Sequence, residues 1–586
     1  MELLSLYIDG TEVQVPKGTT VLDAAHSFDI SIPTLCHLPG MKPFGRCRMC
    51  VVEVEGHEHL LPSCLLQAED GMVVTTRNRK VMQSRRMSLE LLIAQHPMHC
   101  LTCYRNGKCQ LQDLAKEFGI QQACFSRRTA ERKDGNPVYP PLPLDEKSPA
   151  ITHDPNMCIA CGLCVEACRS LQQVDVIDFA YRGCQRRIEP AFGQSLNDVE
   201  CIACGQCIQV CPVNAFYEKP EKNRVQTALR DPELHVVALL SPMVGVSIGE
   251  EFGLEPGTEL TQQMIATLKT AGFDKVFDVG VGGDLIVLEE AYQLLTRVKS
   301  GKRLPLFSSS SPAWIKYIEH FYPNLLPLLS PCKSPVQALA SLVKTYYAQQ
   351  QDISAERIFV VSITPCTAEK FERNRPEMTV NGNISIDACL TTKEVASLIR
   401  GITGHALLSV DAQPFDPPFA EASGAGSIIC AAGGMLEGVM RTFYELFTEK
   451  KLKSPEFLTM RESEGFKEIS LKLGKHTISA VLVHGTGNVG RLLENIAQEK
   501  KQYHYVEIKG CPEGCARGGG APLPSDDETV RARSQALYTL DAGKTIRKAH
   551  ENPAIKKIYD EFLKKPAGPD VKKLLYTTYT QRQRYL

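Results

Sequence analysis

The chain has 586 residues, of which 43% are hydrophobic and 23% charged, and its formal net charge is −1 at pH 7. This balance is typical of a globular protein of roughly four domains, and it excludes a strongly basic nucleic-acid-binding protein. The sequence has no apolar stretch long enough to cross a bilayer, and residues 1–10 lack the basic and apolar regions of a signal peptide. We therefore expect a cytoplasmic protein with no membrane and no nucleic-acid partner.

The 23 cysteines are unevenly distributed, because 17 of them precede residue 212. Many stand in C-x-x-C tandems, which are typical of metal binding and which disulfides do not require. In a reducing compartment such cysteines are kept as thiols, or as thiolates on a metal. The first part of the chain therefore predicts a series of metal centres.

Residues 1–79 predict a β-grasp-like ferredoxin domain. Two short alternating strands flank Asp9-Gly10, a hairpin signal, and "TTVLDAAHSF" predicts a short helix. The four cysteines that follow suit a [2Fe–2S] cluster, with a structural zinc site as the alternative. They resemble the N-terminal module shared by the large iron–sulfur subunit of complex I and the [FeFe]-hydrogenases, and the predicted ligands are Cys36, Cys47, Cys50 and Cys64.

Residues 80–125 carry the spacing H-x3-C-x2-C-x5-C. A histidine in place of one thiolate makes a cluster less negative, which generally raises its potential. The same two families have a one-His, three-Cys [4Fe–4S] domain of this kind, and the resemblance assigns the ligand to His96 and not to His99. Zinc remains the rival metal for this set, which consists of His96, Cys100, Cys103 and Cys109.

Residues 140–222 contain an internal repeat, "CIACGLCVEAC" and "CIACGQCIQVC", in which each copy reads C-x2-C-x2-C-x3-C. In this two-cluster ferredoxin pattern the fourth cysteine of each run binds the other cluster. One [4Fe–4S] cluster is therefore predicted on Cys158, Cys161, Cys164 and Cys211, and another on Cys201, Cys204, Cys207 and Cys168. One [2Fe–2S] and three [4Fe–4S] clusters in one chain predict an electron conduit.

Residues 223–586 predict an α/β domain, because apolar runs such as "HVVALLSP" and "RIFVVSIT" alternate with helical patterns. The whole chain is thus predicted as a multidomain α+β and α/β protein. Three short segments, "SSSSPAW" (308–314), "TPCTAEKFE" (364–372) and "GCPEGCARGGGAP" (510–522), resemble the three signature loops of the [FeFe]-hydrogenase catalytic domain. We therefore expect residues 223–586, including a C-terminal helical segment, to form a domain of that type.

The resemblance implies a specific metal site. In the family, four cysteines hold a [4Fe–4S] cubane, and one of them bridges to a diiron unit with CO, cyanide and dithiolate ligands, where protons and hydrogen interconvert. By position, Cys366, Cys511 and Cys515 match cubane ligands, and Cys515 matches the bridging one.

The first loop departs from the family pattern T-S-C-C-P-x-W. Ser310 stands at the proton-relay thiol and Ser311 at the remaining cubane ligand. A serine hydroxyl is far less acidic than a thiol and is a harder donor, so it is a poor iron ligand. Glu369 stands at the family's lysine, which reverses the charge there, and other pocket positions that differ are Thr364, Ile429 and Lys509. We therefore expect no diiron subcluster.

The three retained cysteines leave alternatives open. Cys332 or Ser311 completes a fourth [4Fe–4S] cluster, or the three cysteines are vestigial and bind no metal. Cys389 and Cys430 are interpreted as small buried thiols. The segment "GTGNVG" (485–490), with Glu507 about 20 residues on, matches a dinucleotide fingerprint, but we interpret it as a turn of the hydrogenase-like domain.

The leading prediction is an iron–sulfur electron-transfer subunit of a larger redox complex, a hetero-oligomer, without hydrogen chemistry of its own. By analogy with the family, its partners are flavin- and NAD-binding subunits, ferredoxin or a formate dehydrogenase. One alternative is a working or sensory [FeFe]-hydrogenase with a non-standard cluster ligand. Another is a purely architectural subunit.

Overall fold

The computed structural model describes residues 3–583, apart from 98, 123, 126–140, 405–406, 408, 458–464, 475 and 499–500. The architecture is mixed: small α+β units that carry the cysteine motifs precede a larger α/β unit, as predicted. Within the described ranges, no helix combines the length and the apolar character that a membrane span requires.

The N-terminal unit is built on a five-stranded sheet of order β2-β1-β5-β3-β4. The predicted hairpin is confirmed, because β1 and β2 pair antiparallel from Leu3↔Pro16 to Ile8↔Thr11, with Asp9 and Gly10 at positive φ in the turn. A short helix begins after Thr20, whose side chain accepts a hydrogen bond from the third residue on. The elements are β1 Leu3–Ile8, β2 Thr11–Pro16, α1 Val21–His26, β3 Val51–Val54, β4 Leu61–Pro62 and β5 Val73–Thr75.

Two helices, α2 Arg79–Gln95 and α3 Gln110–Glu117, follow the sheet. His96 stands at the C-terminal end of α2, and Cys109 stands immediately before α3. The helix ends therefore hold two of the four predicted ligands of the histidine-containing site. Buried Arg85 ties α2 to the sheet by donating to the Val51 carbonyl (2.8 Å).

The ferredoxin-like repeat folds into two equivalent halves. In each half a glycine at positive φ, Gly162 or Gly205, precedes a one-turn helix. Cys168 lies in a π-helical turn over Ala167–Leu171. The elements are β6 Ile151–His153 paired with β9 Phe216–Glu218, β7 Asp178–Ala180 paired with β8 Arg187–Glu189, α4 Leu163–Glu166, α5 Gln206–Gln209 and the connecting helix α6 Lys222–Ala228.

The larger unit contains two four-stranded sheets, of order β11-β10-β13-β16 and β12-β19-β18-β17. Within these two sheets the strand pairs are parallel except β17 with β18, and β14 and β15 form a separate antiparallel pair. The three predicted signature loops directly follow β12, β13 and β19, so all begin at carboxyl ends of parallel strands. The strands are β10 His235–Leu240, β11 Lys275–Asp278, β12 Leu306–Phe307, β13 Ile358–Thr364, β14 Thr379–Val380, β15 Asn383–Ile384, β16 Ala388–Thr391, β17 Phe466–Leu473, β18 His476–His484 and β19 Tyr505–Lys509.

Helices surround and separate these sheets. The longest is buried on all sides over its first half and shares one core with residues of both sheets. The helices are α7 Pro242–Ser247, α8 Thr261–Thr270, α9 Val279–Ser300, α10 Pro312–Phe321, α11 Pro335–Leu342, α12 Ala348–Gln351, α13 Ala368–Glu372, α14 Thr392–Thr403, α15 Gly424–Ser427, α16 Gly434–Thr448, α17 Val489–Ala497, α18 Asp527–Gly543, α19 Pro553–Ile558 and α20 Pro569–Leu574.

The ferredoxin-like repeat and the α/β unit share a hydrophobic core. Cys161, Ile202 and Val213 belong to the same buried cluster as Trp314 and Val506. Trp314, the chain's only tryptophan, is fully buried there. The cysteine motifs are therefore packed directly onto the loops of the larger unit.

Candidate iron–sulfur centres

The four cysteines of the N-terminal unit form two close pairs. The Sγ atoms of Cys36 and Cys47 lie 3.4 Å apart, as do those of Cys50 and Cys64, and all four are buried. Two thiolates on one tetrahedral metal, at bonds of about 2.3 Å, lie about 3.8 Å apart. The arrangement therefore fits one pair on each iron of a [2Fe–2S] cluster. The hydrogen bond within each pair lowers the pKa of Cys36 and Cys50 and raises the pKa of Cys47 and Cys64, so it favours one thiolate in each pair.

The histidine-containing set also converges. His96 and the three cysteines Cys100, Cys103 and Cys109 line one small cavity. The His96 Nδ1 lies 3.0 Å from the Met157 carbonyl oxygen, so Nδ1 carries the proton and Nε2 is free for iron. Burial lowers the pKa of His96, which favours the neutral ring that binds a metal.

In the ferredoxin-like repeat, cysteines of one run lie close to cysteines of the other run. Burial raises the pKa of Cys161 and Cys164, and the Cys211 thiolate adds to this effect. Burial likewise raises the pKa of Cys204 and Cys207, with a contribution from Cys168. Cys211 thus acts on two cysteines of the first run and Cys168 acts on two of the second, which agrees with the crossed ligation that the pattern predicts.

The second and third loops bring Cys366, Cys511 and Cys515 together next to the repeat. Burial raises the pKa of Cys366 and of Cys511, and Cys366 acts electrostatically on Cys515. The Cys511 thiol lies 3.6 Å from the carbonyl oxygen of Cys204. A Cβ on Gly205 would lie 2.6 Å from the Gly519 Cα, so this close approach requires glycine.

The serines of the first loop form a hydrogen-bond network of their own. The Ser308 hydroxyl donates to Glu290 (3.1 Å), and its oxygen lies 3.3 Å from the Ser310 hydroxyl. The Ser311 hydroxyl oxygen accepts from the Gly510 N–H (3.0 Å). The Ser308 hydroxyl therefore bonds the first loop to the Glu290 carboxylate, and the Ser311 hydroxyl bonds it to the third loop.

Cys332, one of the two candidates for a fourth ligand, has polar neighbours. Its thiol sulfur accepts a hydrogen bond from Gln293 Nε2 (3.2 Å), and Glu289 and Glu290 act on it electrostatically. Two nearby carboxylates disfavour a thiolate at this position, because like charges repel.

Sequence reasoning missed Cys430, which it interpreted as an ordinary buried thiol. The Cys430 thiol lies 3.3 Å from the Ser241 hydroxyl, and the Cys515 thiol lowers the pKa of Cys430 to about 7. The Cys515 N–H also donates to the Cys430 carbonyl (3.0 Å). No local motif surrounds Cys430. The available signal is its place beside Ile429, a position that differs from the family pattern.

The charged residues of this pocket are compensated locally. Burial raises the pKa of Glu369 to about 8, so its carboxyl is neutral at pH 7, and Ser362 and Thr364 donate to it (2.8 and 2.9 Å). Burial therefore opposes the reversal of charge that the residue type predicts at this position. Lys509 is buried, donates to the Ile429 carbonyl (2.8 Å) and lies 3.3 Å from a Glu507 oxygen.

The glycine-rich turn at 485–490 is used for packing. The Thr486 N–H donates to Gln172 Oε1 (3.0 Å), and a Cβ on Gly487 would lie 2.5 Å from the Leu171 carbonyl oxygen. The turn is thus pressed against the ferredoxin-like repeat, and its Thr486 amide is not available to a phosphate. This supports the interpretation of the segment as a structural turn.

Five family descriptions match consecutive parts of the chain. They are "2Fe-2S iron-sulfur cluster binding domain" at 2–79, "NADH-ubiquinone oxidoreductase-G iron-sulfur binding region" at 85–123, "4Fe-4S dicluster domain" at 157–215, "Iron only hydrogenase large subunit, C-terminal domain" at 234–519 and "Iron hydrogenase small subunit" at 527–582. The chain thus carries [2Fe–2S]- and [4Fe–4S]-type domains ahead of an iron-hydrogenase-type domain.

Relatives match along the whole chain. The NADP-reducing hydrogenase subunit HndD of Solidesulfovibrio fructosivorans is 38% identical over 100% of both chains. Iron hydrogenase 1 of Clostridium pasteurianum is 33% identical over 98% of this chain and 99% of its own. A solved apo [FeFe]-hydrogenase from Chlamydomonas reinhardtii superposes with a TM-score of 0.55 at 33% identity and covers 61% of this chain and 98% of that one. The chain therefore belongs to the iron-only, or [FeFe], hydrogenase family.

Proposed function

We propose that the chain is an electron-transfer subunit of a larger redox complex and does not itself activate hydrogen. The observation that carries the proposal is the first loop, where Ser310 and Ser311 present hydroxyls at the family's relay and ligand positions. A hydroxyl is a weak iron donor, and a pair of adjacent losses removes both an anchor and a proton-transfer group.

The residues present fit four N-terminal clusters, on the ligand sets given above. When bound, these clusters would supply one-electron relay sites. The protein contributes buried thiols, and backbone N–H groups donate to cluster sulfurs: Ala160 to Cys158 and Ala215 to Cys211, both at 3.3 Å. Such donors reduce the negative charge at sulfur and raise the reduction potential.

The route from the repeat into the larger unit is short. Cys204, in the set predicted for one ferredoxin-like cluster, is in contact through its carbonyl with Cys511 of the third loop. Gln206 and Gln209 side chains donate to the Arg517 and Gly518 carbonyls of the same loop (2.9 and 2.7 Å). Rigid contact of this kind keeps the separation between electron-transfer sites constant.

Partner subunits follow by analogy. HndD is named as a subunit of an NADP-reducing hydrogenase, which supports a hetero-oligomer in this case too. We propose flavin- and NAD-binding subunits as electron donors or acceptors, with ferredoxin or a formate dehydrogenase as the exchange partner.

A second candidate function is that of a working hydrogenase with a non-standard ligand. The match of the chain to hydrogenases over its whole length, together with the convergence of Cys366, Cys511 and Cys515, favours it. Hydrogen evolution separates the two functions.

The test uses the full chain after reconstitution of its iron–sulfur clusters and treatment with diiron maturation factors. The relay function predicts that reduced dye bleaches the clusters but that hydrogen stays at background. Iron hydrogenase 1 of Clostridium pasteurianum, treated in parallel, is the positive control. Evolution of hydrogen at a rate near that of the control would refute the relay proposal.

A further inference from the structure

The loops of the larger unit bring together three cysteines, but a [4Fe–4S] cubane takes four ligands. We propose that Cys430 supplies the fourth thiolate, with Cys366, Cys511 and Cys515 as the other three. This inference rests on the proposed relay function, because it gives the relay a fifth cluster at its inner end.

The position of Cys430 is set by the backbone. The hydrogen bond from the Cys515 N–H to the Cys430 carbonyl (3.0 Å) places the two residues side by side. At Gly514, which has positive φ, a Cβ would lie 2.9 Å from the Cys430 carbonyl oxygen, so the third loop is seated tightly on this residue. Cys430 is only 7% exposed, so its thiol is shielded from water.

The thiol of Cys430 faces the predicted ligands. It lies 3.3 Å from the Ser241 hydroxyl, and Cys430 and Cys366 both act on the pKa of Cys515. Cys430 also acts on Glu369, which lies one turn after Cys366 in the second loop. Sulfur atoms from the second loop, the third loop and residue 430 thus converge on one space.

The two other candidates have less suitable donor atoms or surroundings. The Ser311 oxygen accepts a hydrogen bond from Gly510, and oxygen is a harder donor than iron–sulfur clusters prefer. The Cys332 thiol is hydrogen-bonded by Gln293 beside two carboxyl groups. Cys430 offers a sulfur donor beside Cys515 and near the Lys509 ammonium, so it is the better candidate in both position and chemistry.

The Cys430 and Cys515 thiols must separate to bind, since each thiolate of a cubane binds a different iron. Rotation of a cysteine side chain from one staggered rotamer to another moves its sulfur by about 3 Å without moving the backbone. The seating of the third loop can therefore remain as described.

A buried anionic cluster also needs a nearby cation. Lys509 is 5% exposed and acts electrostatically on both Cys515 and Cys430. This gives a role to Lys509, whose position differs from the family pattern. The positive charge of Lys509 would stabilise the negative charge of a thiolate-bound cluster.

The experiment compares four variants of the full chain, reconstituted anaerobically: Cys430→Ala, Ser311→Ala, Cys332→Ala and, as a matched buried-thiol control, Cys389→Ala. Iron content and the electron paramagnetic resonance of the oxidised protein are measured. Wild type should hold about 18 iron atoms per chain, from one [2Fe–2S] and four [4Fe–4S] clusters. Cys430→Ala should lose one to four of them, and a surviving three-iron cluster would show a [3Fe–4S] signal. The other three variants should match wild type.

Each other result has a defined meaning. The fourteen or so irons of the N-terminal clusters, retained in Cys430→Ala, certify that the variant has folded. An unchanged Cys430→Ala, or the same loss in Ser311→Ala or Cys332→Ala, would overturn the assignment. Wild type with only about 14 irons would overturn it too while leaving the four-cluster relay intact. Hydrogen evolution by wild type would instead overturn the proposed function.

Discussion

The hydroxyl oxygen of Ser311 accepts a hydrogen bond from the backbone N–H of Gly510 at 3.0 Å, which joins the first loop to the third. The oxygen stands where the family has a cubane ligand, and it is used to hold two loops together. The loop geometry has therefore been kept while the donor atom has changed, and this separation of scaffold from chemistry underlies the following predictions.

Restoring the two cysteines should not restore hydrogen chemistry. In the Ser310→Cys/Ser311→Cys double variant, Lys509, Glu369 and Cys430 still alter the pocket. We expect hydrogen evolution from reduced dye to stay at background after diiron maturation, even where the iron content of the variant differs from that of wild type. A clear rise in the rate for this variant would show that the two serines alone account for the loss.

His96 should be an iron ligand through Nε2, because its Nδ1 is committed to the Met157 carbonyl. His96→Ala should lose about four iron atoms. His96→Cys should keep them but lower the midpoint potential of one cluster, since a thiolate adds negative charge. Redox titration followed by electron paramagnetic resonance measures both. His99→Ala, at an exposed neighbour, is the control; equal effects at both positions would contradict the assignment.

Glu369 should make stability depend on pH. Its pKa is about 8 when folded, against an ordinary value of 4.5, so the unfolded chain loses this proton first as pH rises. The free energy of unfolding should therefore fall between about pH 4.5 and 8 and level off above. Glu369→Gln removes this effect, so the stability of the variant relative to wild type should grow by about 2 kcal/mol from pH 6 to 8.

Thermal unfolding at pH 6 and 8.5 checks this dependence. Glu356→Gln, at an exposed carboxyl, controls for the general loss of one charge. If the increase in stability of Glu369→Gln over wild type is equal at both pH values, or larger at pH 6, the buried carboxyl is ionised throughout.

Gln172 should hold the ferredoxin-like repeat against the larger unit. It is fully buried, donates to the Gly510 carbonyl (2.9 Å) and accepts from the Thr486 N–H (3.0 Å). Gln172→Ala leaves both backbone groups unpaired, which should destabilise the junction by roughly 2–4 kcal/mol. A lower unfolding midpoint and faster limited proteolysis are the expected results. Exposed Gln173→Ala should behave as wild type; the same behaviour in Gln172→Ala would exclude this role.

Local sequence patterns predict the N-terminal metal sites and their turns, because the ligand residues of each site are close in sequence. The hairpin at Asp9-Gly10 and the one-turn helices after Gly162 and Gly205 follow from turn chemistry and from C-x-x-C spacing. The three signature loops are recognisable from short motifs, and the first and third meet because β12 and β19 are neighbouring parallel strands of one sheet.

The contacts around Cys366, Cys511 and Cys515 are not predictable in this way. Cys430 reaches Cys515 only because the third loop packs onto the segment before α16, and no spacing rule connects the two positions. The neutral state of Glu369 follows from burial, which a charged residue type does not reveal. Gln172 likewise joins distant segments through side-chain hydrogen bonds that leave no pattern in the sequence.

The central claim is that no diiron unit is anchored at Cys515. Infrared spectroscopy of the full chain after exposure to diiron maturation factors tests it most directly, because CO and cyanide bound to iron absorb where proteins do not. The account predicts a spectrum free of these bands, in a sample whose iron content verifies the iron–sulfur clusters. Stoichiometric CO and cyanide bands, absent when Cys515 is replaced by alanine, would contradict it and make the chain a hydrogenase.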